Sequence, residues 1–338
     1  MRQSVARVEI LNPAGEWDSK PPRLRDDGTG QYDIEIDATF TLEPTPNKAT
    51  VRVANLPAER LDQLRGRVRR RIEWTPEQRA ELRAAGDSGE SMELIYDRFD
   101  MASIRASWGV RRAPTDKPGF VPEMQVGFIG ATDEFGERAG DRLTPVTVFP
   151  CEDGGQMLGA GRGSKVFRAG ASTTDIMVHL IESCGLTVDA EALDQALLSV
   201  LLARGYAASK LRQIDTYNTT MHPAAELIKR VMDGLDLQWT IYNSRFILLD
   251  ADMVLDMPRL DLSLTEGSLF SVPKKVKEGW SVQTWANPMA IPGREVSLKT
   301  ELTRETLRIE RADHRVRTKA ESMTTLTLKR LETVAGVF

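Results

Sequence analysis

Apolar and polar residues alternate along residues 31–42. The apolar side chains fall at every second position, namely Tyr32, Ile34, Ile36, Ala38, Phe40 and Leu42. Because neighbouring side chains of a β-strand point to opposite sides of the sheet, this period predicts a long strand with one buried face. Pro44 and Pro46 interrupt the pattern, which resumes from Ala49 to Val53. The two segments together predict an antiparallel hairpin.

A charged segment, residues 65–90, separates this hairpin from the strand patterns that follow. It comes after a short helix predicted to begin at Pro57, and its composition predicts a polar helical insertion on the surface. An arginine cluster lies at its start, and it could contact an acidic partner or a nucleic acid. A solvated face is the alternative, which such charge runs form more often. The candidate partner contacts are Arg69, Arg70 and Arg71.

Strand patterns fill the remainder of the first 150 residues. The predicted strands are Glu93–Phe99, Ala102–Trp108, Met124–Phe128 and Val146–Phe149. In the second of these segments alternate residues are apolar, which again predicts one buried face. Residues 1–150 are therefore predicted to form a mostly antiparallel β domain of six or seven strands.

The period of the apolar residues changes to that of α-helices in the middle third of the chain. The predicted helices run from the cap Ser172–Asp175 to Gly185, from Asp189 to Ala203, and from Pro223 up to Gly234. Serine and threonine are typical residues at the start of a helix, and glycine is typical just after its end. A hairpin with its turn at Asn243-Ser244 follows, so this part is predicted to be an α+β unit.

Short strands return in the last third of the chain. They are predicted at Val282–Trp285, Val296–Lys299, Leu307–Ile309 and Thr324–Leu331, with turns at Asn287-Pro288, Pro292-Gly293 and Asp313-His314. The fold class is therefore predicted to be α+β and β-rich, with two antiparallel β-barrel or sandwich domains and a middle α+β domain. The predicted domains are residues 1–155, 156–257 and 258–338.

Composition and charge exclude several classes of function. The 338 residues include 45 Lys and Arg against 49 Asp and Glu, a net charge of −4, so no bulk basic field favours the wrapping of duplex DNA. No apolar run has the length of a membrane-spanning helix or of a signal peptide, so we expect no membrane partner and synthesis in a cytoplasm. In that reducing compartment, Cys151 and Cys184 are predicted to be buried free thiols rather than a disulfide.

Residues that carry chemistry are few. His179, His222 and His314 show no metal-ligand spacing, so no metal or cofactor site is predicted. The glycine-rich stretch Gly159–Lys165 ends in Gly-Ser-Lys, whereas a phosphate-binding loop ends in Gly-Lys-Ser or Gly-Lys-Thr. It is therefore predicted to be a flexible loop. No Gly-x-Ser-x-Gly motif is present, and we predict that the chain is not an enzyme.

Five segments of the chain carry a family resemblance when they are taken in order. They are Thr45–Leu56, Val126–Ala131 through Cys151–Gly154, Phe167–Ile176, Leu235–Asn243, and Gly267–Pro273 with Asn287–Gly293. Arg308-Ile309 and Asp313-His314 follow near the end. Their phrases, such as Pro46-Asn47-Lys48-Ala49 and Leu237-Gln238-Trp239, resemble those of the baseplate hub proteins of contractile-tailed bacteriophages. Ser268 and Val272 depart from the family's pattern, and residues 65–90 are enlarged relative to it.

The resemblance implies two tail-tube-like β domains joined by the middle segment. Three subunits would form a ring that adapts a hexameric tail tube to a trimeric spike, starts tube assembly and serves as a conduit for DNA. The implied partners are other copies of the chain, the tail tube protein, the spike protein and other baseplate proteins, with DNA passing through the lumen without specific binding. The implied location is the baseplate of the virion tail, after synthesis in the host cytoplasm.

Two alternatives to a phage hub remain open. One is a tail-associated cell-wall hydrolase, for which no further segment of domain size is left in the chain. The other is the equivalent hub of a secretion system or of a phage-tail-like bacteriocin particle. A monomer from such a particle would look the same, so only the particle itself distinguishes it from a phage.

Overall fold

The structure of the chain is a computed structural model. The described residues are 3–11, 23–26, 32–42, 47–56, 102–111, 124–132, 137–139, 145–153, 165–184, 186, 188–203, 205–207, 211, 217–219, 223–235, 237–243, 245–249, 255, 257–264, 268–300 and 304–330. Within these residues strands outnumber helices six to one, with eighteen against three. The β-rich α+β fold predicted from the sequence is thereby confirmed.

Eight strands form the first β half, which comprises the described residues from 3 to 153. They are β1 (Gln3–Leu11), β2 (Arg23–Asp26), β3 (Asp33–Thr41), β4 (Lys48–Ala54), β5 (Ala102–Arg111), β6 (Gln125–Thr132), β7 (Glu137–Ala139) and β8 (Val146–Glu152). Their order is β3-β4-β8-β6-β5-β1-β2, with β7 beside β8, and all pairs are antiparallel. The predicted buried face of β3 is confirmed, because Ile34, Ile36 and Phe40 are fully buried.

The predicted number of six or seven strands is wrong for this half, because the sequence pattern does not reveal β1 and β2. Val5 and Glu9 are buried on one face of β1, and Ala6 and Val8 are buried on the other. A strand that is covered on both faces shows no alternation of apolar and polar residues. Its sequence therefore lacks the period that predicts β3.

Several predicted features lie outside the described residues. They are the helix that begins at Pro57, the insertion 65–90, the strand Glu93–Phe99, the glycines of the loop before Lys165, and His222. These stay predictions, and so do the domain boundaries after residues 155 and 257.

The middle unit comprises the described residues from 165 to 249. Its elements are β9 (Val166–Phe167), α1 (Thr173–Ser183), α2 (Ala190–Ala203), β10 (Tyr217–Asn218), α3 (Ala224–Leu235), β11 (Gln238–Tyr242) and β12 (Arg245–Leu249). Ser172 caps α1, since its hydroxyl oxygen accepts a hydrogen bond from the Thr174 N–H at 3.1 Å. The helices share one core around the buried residues Ile176, Leu197 and Ile228. The three predicted helices and the hairpin are confirmed.

Six strands form the second β half, which comprises the described residues from 257 to 330. They are β13 (Leu260–Ser263), β14 (Lys274–Val276), β15 (Gly279–Trp285), β16 (Glu295–Lys299), β17 (Arg304–Arg317) and β18 (Met323–Arg330). Their order is β14-β15-β18-β17-β16-β13, in which only β13 and β16 are parallel. The predicted turns at Asn287-Pro288 and Pro292-Gly293 lie between β15 and β16.

The predicted turn at Asp313-His314 is wrong. Both residues lie inside β17, a strand of fourteen residues that extends well beyond the predicted strand Leu307–Ile309. A register shift between Ile309 and Arg311 interrupts the alternation, so that three consecutive residues before it are buried. Beyond this bulge the partly exposed positions are all charged, and this density of charge conceals the strand in the sequence.

The long strand β17 joins the two β halves. Its residues 304–308 pair with β16, whereas its residues 311–317 pair with β3 between Thr41 and Glu35. We refer to this β3–β17 pairing as the seam. Through it the strands of both halves form one sheet of fourteen strands. The core also crosses the seam, because Ala286 and Val316 are buried in the hydrophobic cluster of the first half.

Candidate functional site: the junction of the two β halves and the middle unit

The three parts of the chain meet at Phe40, a fully buried residue of β3. The centroid of its ring lies 6.0 Å from that of Phe128 in the first half, 5.4 Å from that of Tyr242 in the middle unit and 5.5 Å from that of His314 in the second half. Trp108 lies 5.2 Å from His314 by the same measure. The rings are tilted or edge-on, which are favourable geometries for aromatic pairs. We refer to these five residues as the aromatic junction.

The tip of the β11–β12 hairpin docks the middle unit onto the first half. The Thr240 hydroxyl donates a hydrogen bond to the carbonyl oxygen of Thr41 at 2.9 Å. At the turn, the side-chain oxygen of Asn243 accepts a hydrogen bond from the Ile129 N–H at 2.7 Å. Asn243 has a φ of 51°, a left-handed conformation that asparagine tolerates better than most residues. The turn predicted at this residue therefore also builds the contact between the two parts.

A buried pair, Asn47 and Asp153, fastens the hairpin tip. The Asn47 backbone N–H donates to Asp153 Oδ1 at 2.7 Å, and Asn47 Nδ2 donates to Asp153 Oδ2 at 2.8 Å. The same Nδ2 donates to the carbonyl oxygen of Ile241 in β11. Burial raises the pKa of Asp153 to about 7, although the bonds from Asn47 act in the opposite direction. Burial also raises the pKa of the nearby Tyr242 phenol to about 12.

His314 brings the second half into the junction. Its Nδ1 lies 2.9 Å from the hydroxyl oxygen of Thr324 on β18. Burial lowers the pKa of His314 to about 4, and the negative charge of Asp313 opposes this only in part. The imidazole is therefore neutral near pH 7. A neutral ring packs against Phe40 and Trp108 without the cost of a buried charge.

Charged side chains reinforce the seam on the polar face of the sheet. Nη2 of Arg317 on β17 lies 3.0 Å from each carboxylate oxygen of Asp37 on β3, and Arg52 on β4 also donates to this carboxylate. Arg317 lies 3.3 Å from Glu35 as well. Burial alone would raise the pKa of Asp37, but the bonds from Arg317 and Arg52 outweigh it and hold that pKa below its ordinary value. Ion pairs thus accompany the backbone pairing of the two halves.

The described part of the chain offers neither a metal site nor an exposed thiol. No set of three or more His, Cys, Asp or Glu side chains there could hold a metal ion. Cys151 and Cys184 are free and buried, as predicted, and burial raises the pKa of both thiols, that of Cys184 to about 12. His179 packs edge-on against Phe167, and burial lowers its pKa. No described helix has the length and apolar character needed to cross a membrane.

Sequence reasoning does not predict the contacts that build the junction. Its own candidate contacts, Arg69, Arg70 and Arg71, lie outside the described residues, so their role stays a prediction. The hydrogen bonds of Asn47 with Asp153 join positions 106 residues apart, and no periodic pattern indicates such a pair. Asn47 stands beside a proline and Asp153 beside a glycine, and such pairs of residue types predict turns. They do not predict that the two turns are in contact.

Two solved structures resemble the whole chain. One is a 43 kDa tail protein of prophage MuSo2 from Shewanella oneidensis, with 9% identity, a TM-score of 0.51 and 98% of each chain covered. The other is a tail protein from Neisseria meningitidis MC58, with 7% identity, a TM-score of 0.52, and 97% of this chain and 96% of that chain covered. No family model matches the sequence, and no curated protein matches it.

The likeness concerns the fold alone, because sequence identities of 7% and 9% are too low to indicate a shared function. The chain has the fold of phage tail proteins over nearly its whole length, through both β halves and the middle unit. The fold implied by the resemblance to phage hub proteins is therefore confirmed at this level.

Proposed function

We propose that the chain is a structural subunit of a phage baseplate hub. Three copies would form a ring that adapts a hexameric tail tube to a trimeric spike, starts tube assembly and lets DNA pass. The likeness of the whole chain to tail proteins supports this proposal. The observation that carries it is the seam, by which two β halves of one chain form a single continuous sheet.

The seam offers a solution to a mismatch of symmetry. Three identical subunits present three equivalent copies of any surface, whereas a hexameric tube needs six. A chain with two β halves side by side presents two β surfaces, so three chains present six. The aromatic junction and the ion pairs of Asp37 hold the two halves in one orientation, which six evenly placed surfaces would require.

The charges along the seam favour a conduit that does not retain DNA. Most of the basic side chains there are engaged by acidic ones. The pairs are Arg317 with Asp37 and Glu35, Lys319 with Asp33, and Arg311 with Asp313. Cations paired in this way offer few free contacts to phosphates, which supply most non-specific affinity for DNA. The proposed protein partners are other copies of the chain, the tail tube protein, the spike protein and other baseplate proteins.

Imaging of assembled particles tests the proposal. The chain would be tagged in the phage that encodes it, and the tag would be located on purified tails by electron microscopy. We expect three tags per particle, at the tip of the tube and next to the spike. Tags along the tube or sheath, or an untagged particle, would overturn the proposal. Tags at the tip of a secretion-system or bacteriocin particle would transfer the hub role from phage to that machine.

A zymogram tests the alternative of a cell-wall hydrolase. The purified chain would be renatured in a gel containing peptidoglycan, with lysozyme as the positive control. We expect no clearing at the position of the chain, because its described residues include no metal site and its two thiols are buried. A clear band at that position would establish hydrolase activity and contradict a purely structural role.

A further inference from the structure

A groove of about 660 Å³ lies between α2, the β11–β12 hairpin and the second β half. Its walls are mostly apolar and include Val188, Ala192, Met257 and Met289. Open apolar grooves of this kind are typical of surfaces that bind a partner. A partner of this groove would need an apolar surface of complementary shape and charge.

The start of α2 gives the groove an acidic rim. Asp189 lines the groove, Glu191 is exposed on the first turn, and α2 contains no Lys or Arg. In the described part of the chain neither acid has an ion-pair partner. Asp189 accepts a hydrogen bond from the Ala192 N–H, and Glu191 accepts one from Gln195. Among the described lining residues Asp189 is the one acid and Arg245 is the one cation, and Glu191 adds a second negative charge at the rim.

The complementary chemistry lies at the end of the sheet, in residues 272–277, which we refer to as the β14 segment. Val272 is 69% exposed and Val276 is 39% exposed, which is unusual for two valines so close together. Lys274 and Lys277 are exposed beside them and have no ion-pair partner among the described residues. Of the described strands, only β15 pairs with β14, so no described strand covers the other edge of β14.

These features differ from other described parts of the sheet, where several charges are paired within the chain. Asp37 binds Arg317, Glu305 binds Arg330, and Lys48 lies 3.4 Å from Glu152. Lys274 and Lys277 at one surface and Asp189 and Glu191 at another, all without an ion-pair partner among the described residues, are complementary in charge. The lysines lie beside the exposed Val272 and Val276, and the acids lie beside the apolar walls of the groove.

We propose that the β14 segment of one copy docks into the groove of a second copy. The two valines would lie against the apolar walls, and the two lysines would face Asp189 and Glu191. The contact joins two different surfaces, so it repeats head to tail and closes into a ring when the rotation between copies allows. The inference rests on the proposed trimer and adds to it the contact that holds the copies together.

Charge reversal with rescue tests the contact. One variant carries Lys274→Glu and Lys277→Glu, and a second carries Asp189→Asn and Glu191→Lys, in which asparagine retains the helix cap. A third variant combines all four changes. The matched control is Glu226→Lys with Lys229→Glu on the exposed face of α3. Sedimentation velocity at low and high salt measures the association, and circular dichroism melting verifies that each variant folds.

We expect each single-surface variant to weaken self-association at least about tenfold, as loss of interface charge complementarity does. The combined variant should regain most of the wild-type association, and the α3 control should match the wild type. Lysines on an edge strand can also serve only to prevent aggregation. In that case the combined variant would not be rescued, which would overturn the inference. A trimer unaffected by both reversals would overturn it while leaving the hub role intact, and so would a wild-type chain that trimerises only on the spike.

Discussion

The three parts of the protein converge on the side chain of Phe40, with rings from each of them within about 6 Å of its own. Replacement of Phe40 by alanine should lower the free energy of unfolding by about 3–5 kcal/mol, because it leaves a cavity that rigid neighbours cannot fill. Urea unfolding measures the loss. Leu202→Ala is the control, since Leu202 is 56% exposed and its loss should cost less than about 0.5 kcal/mol. Equal losses in the two variants would contradict the role of Phe40.

Asp153 and His314 should give stability opposite dependences on pH. The folded chain holds a proton on Asp153 between its ordinary pKa of 3.8 and about 7, so this residue stabilises the fold less as the pH rises through that window. The unfolded chain binds a proton at His314 between about 4 and its ordinary pKa of 6.5, so this residue stabilises the fold less as the pH falls. In the overlapping window the two contributions largely cancel.

Single replacements should therefore reveal opposite slopes. Relative to the wild type, Asp153→Asn should lose stability on acidification from about pH 6.5 to pH 4.5, by up to ~1.4 kcal/mol per pH unit. His314→Gln should instead gain stability relative to the wild type over the same range. Urea midpoints across the range measure both slopes, whatever the overall cost of each replacement. If the stability of both variants changed with pH in the same way, the pKa values of Asp153 and His314 would not be shifted in opposite directions by the fold.

The sequence predicts the burial of single residues better than their partners. The alternation around Phe40 predicts that it faces a core, and the structure confirms this. The partners of Asn47 are set by the meeting of distant segments, since it bonds both Asp153 and the carbonyl oxygen of Ile241. The periodicity of a sequence depends only on neighbouring positions along the chain. It therefore carries no information on contacts between distant segments.

At the scale of whole elements, prediction succeeds where one face is buried and the other is solvated. This condition holds for β3 and for the amphipathic α3, whose Leu227 and Ile228 are buried and whose Lys229 and Arg230 are exposed. It fails for β1, which is covered on both faces, and for β17, whose bulge shifts the alternation. Pairing between strands from opposite ends of the chain, as at the seam, is likewise hidden.

The stability of the seam should depend on Arg317, which is the less exposed of two neighbouring arginines. Arg317 is 19% exposed and bonds Asp37 and Glu35, whereas the neighbouring Arg315 is 65% exposed and lies 3.7 Å from Asp37. Arg317→Gln should therefore cost about 1–2 kcal/mol of stability, because it leaves a half-buried carboxylate short of a partner. Arg315→Gln, the control, should cost less than about 0.5 kcal/mol, as exposed pairs do. Urea unfolding, which adds no salt to screen the charges, measures the free energy of unfolding of both variants. Equal losses would show that the ion pairs of Arg317 do not stabilise the seam.

At the scale of the whole molecule, the order of β, α+β and β segments is predictable, but their joining into one sheet is not. Apolar residues recur with the period of β-strands in the first and last segments and with the period of helices in the middle one, so the sequence reveals the order. The seam arises because β17, at one end of the chain, pairs with β3, at the other. The proposed ring follows from this joining and from the fold shared with tail proteins.

The mass of the assembled protein tests the proposed ring most directly. Size-exclusion chromatography with light scattering would be run on the chain alone and after addition of the spike protein. We predict a particle with three copies of the chain in at least one of the two samples, since three copies with two β halves each match a hexameric tube. A stable dimer, or a monomer in both samples, would contradict the hub proposed here.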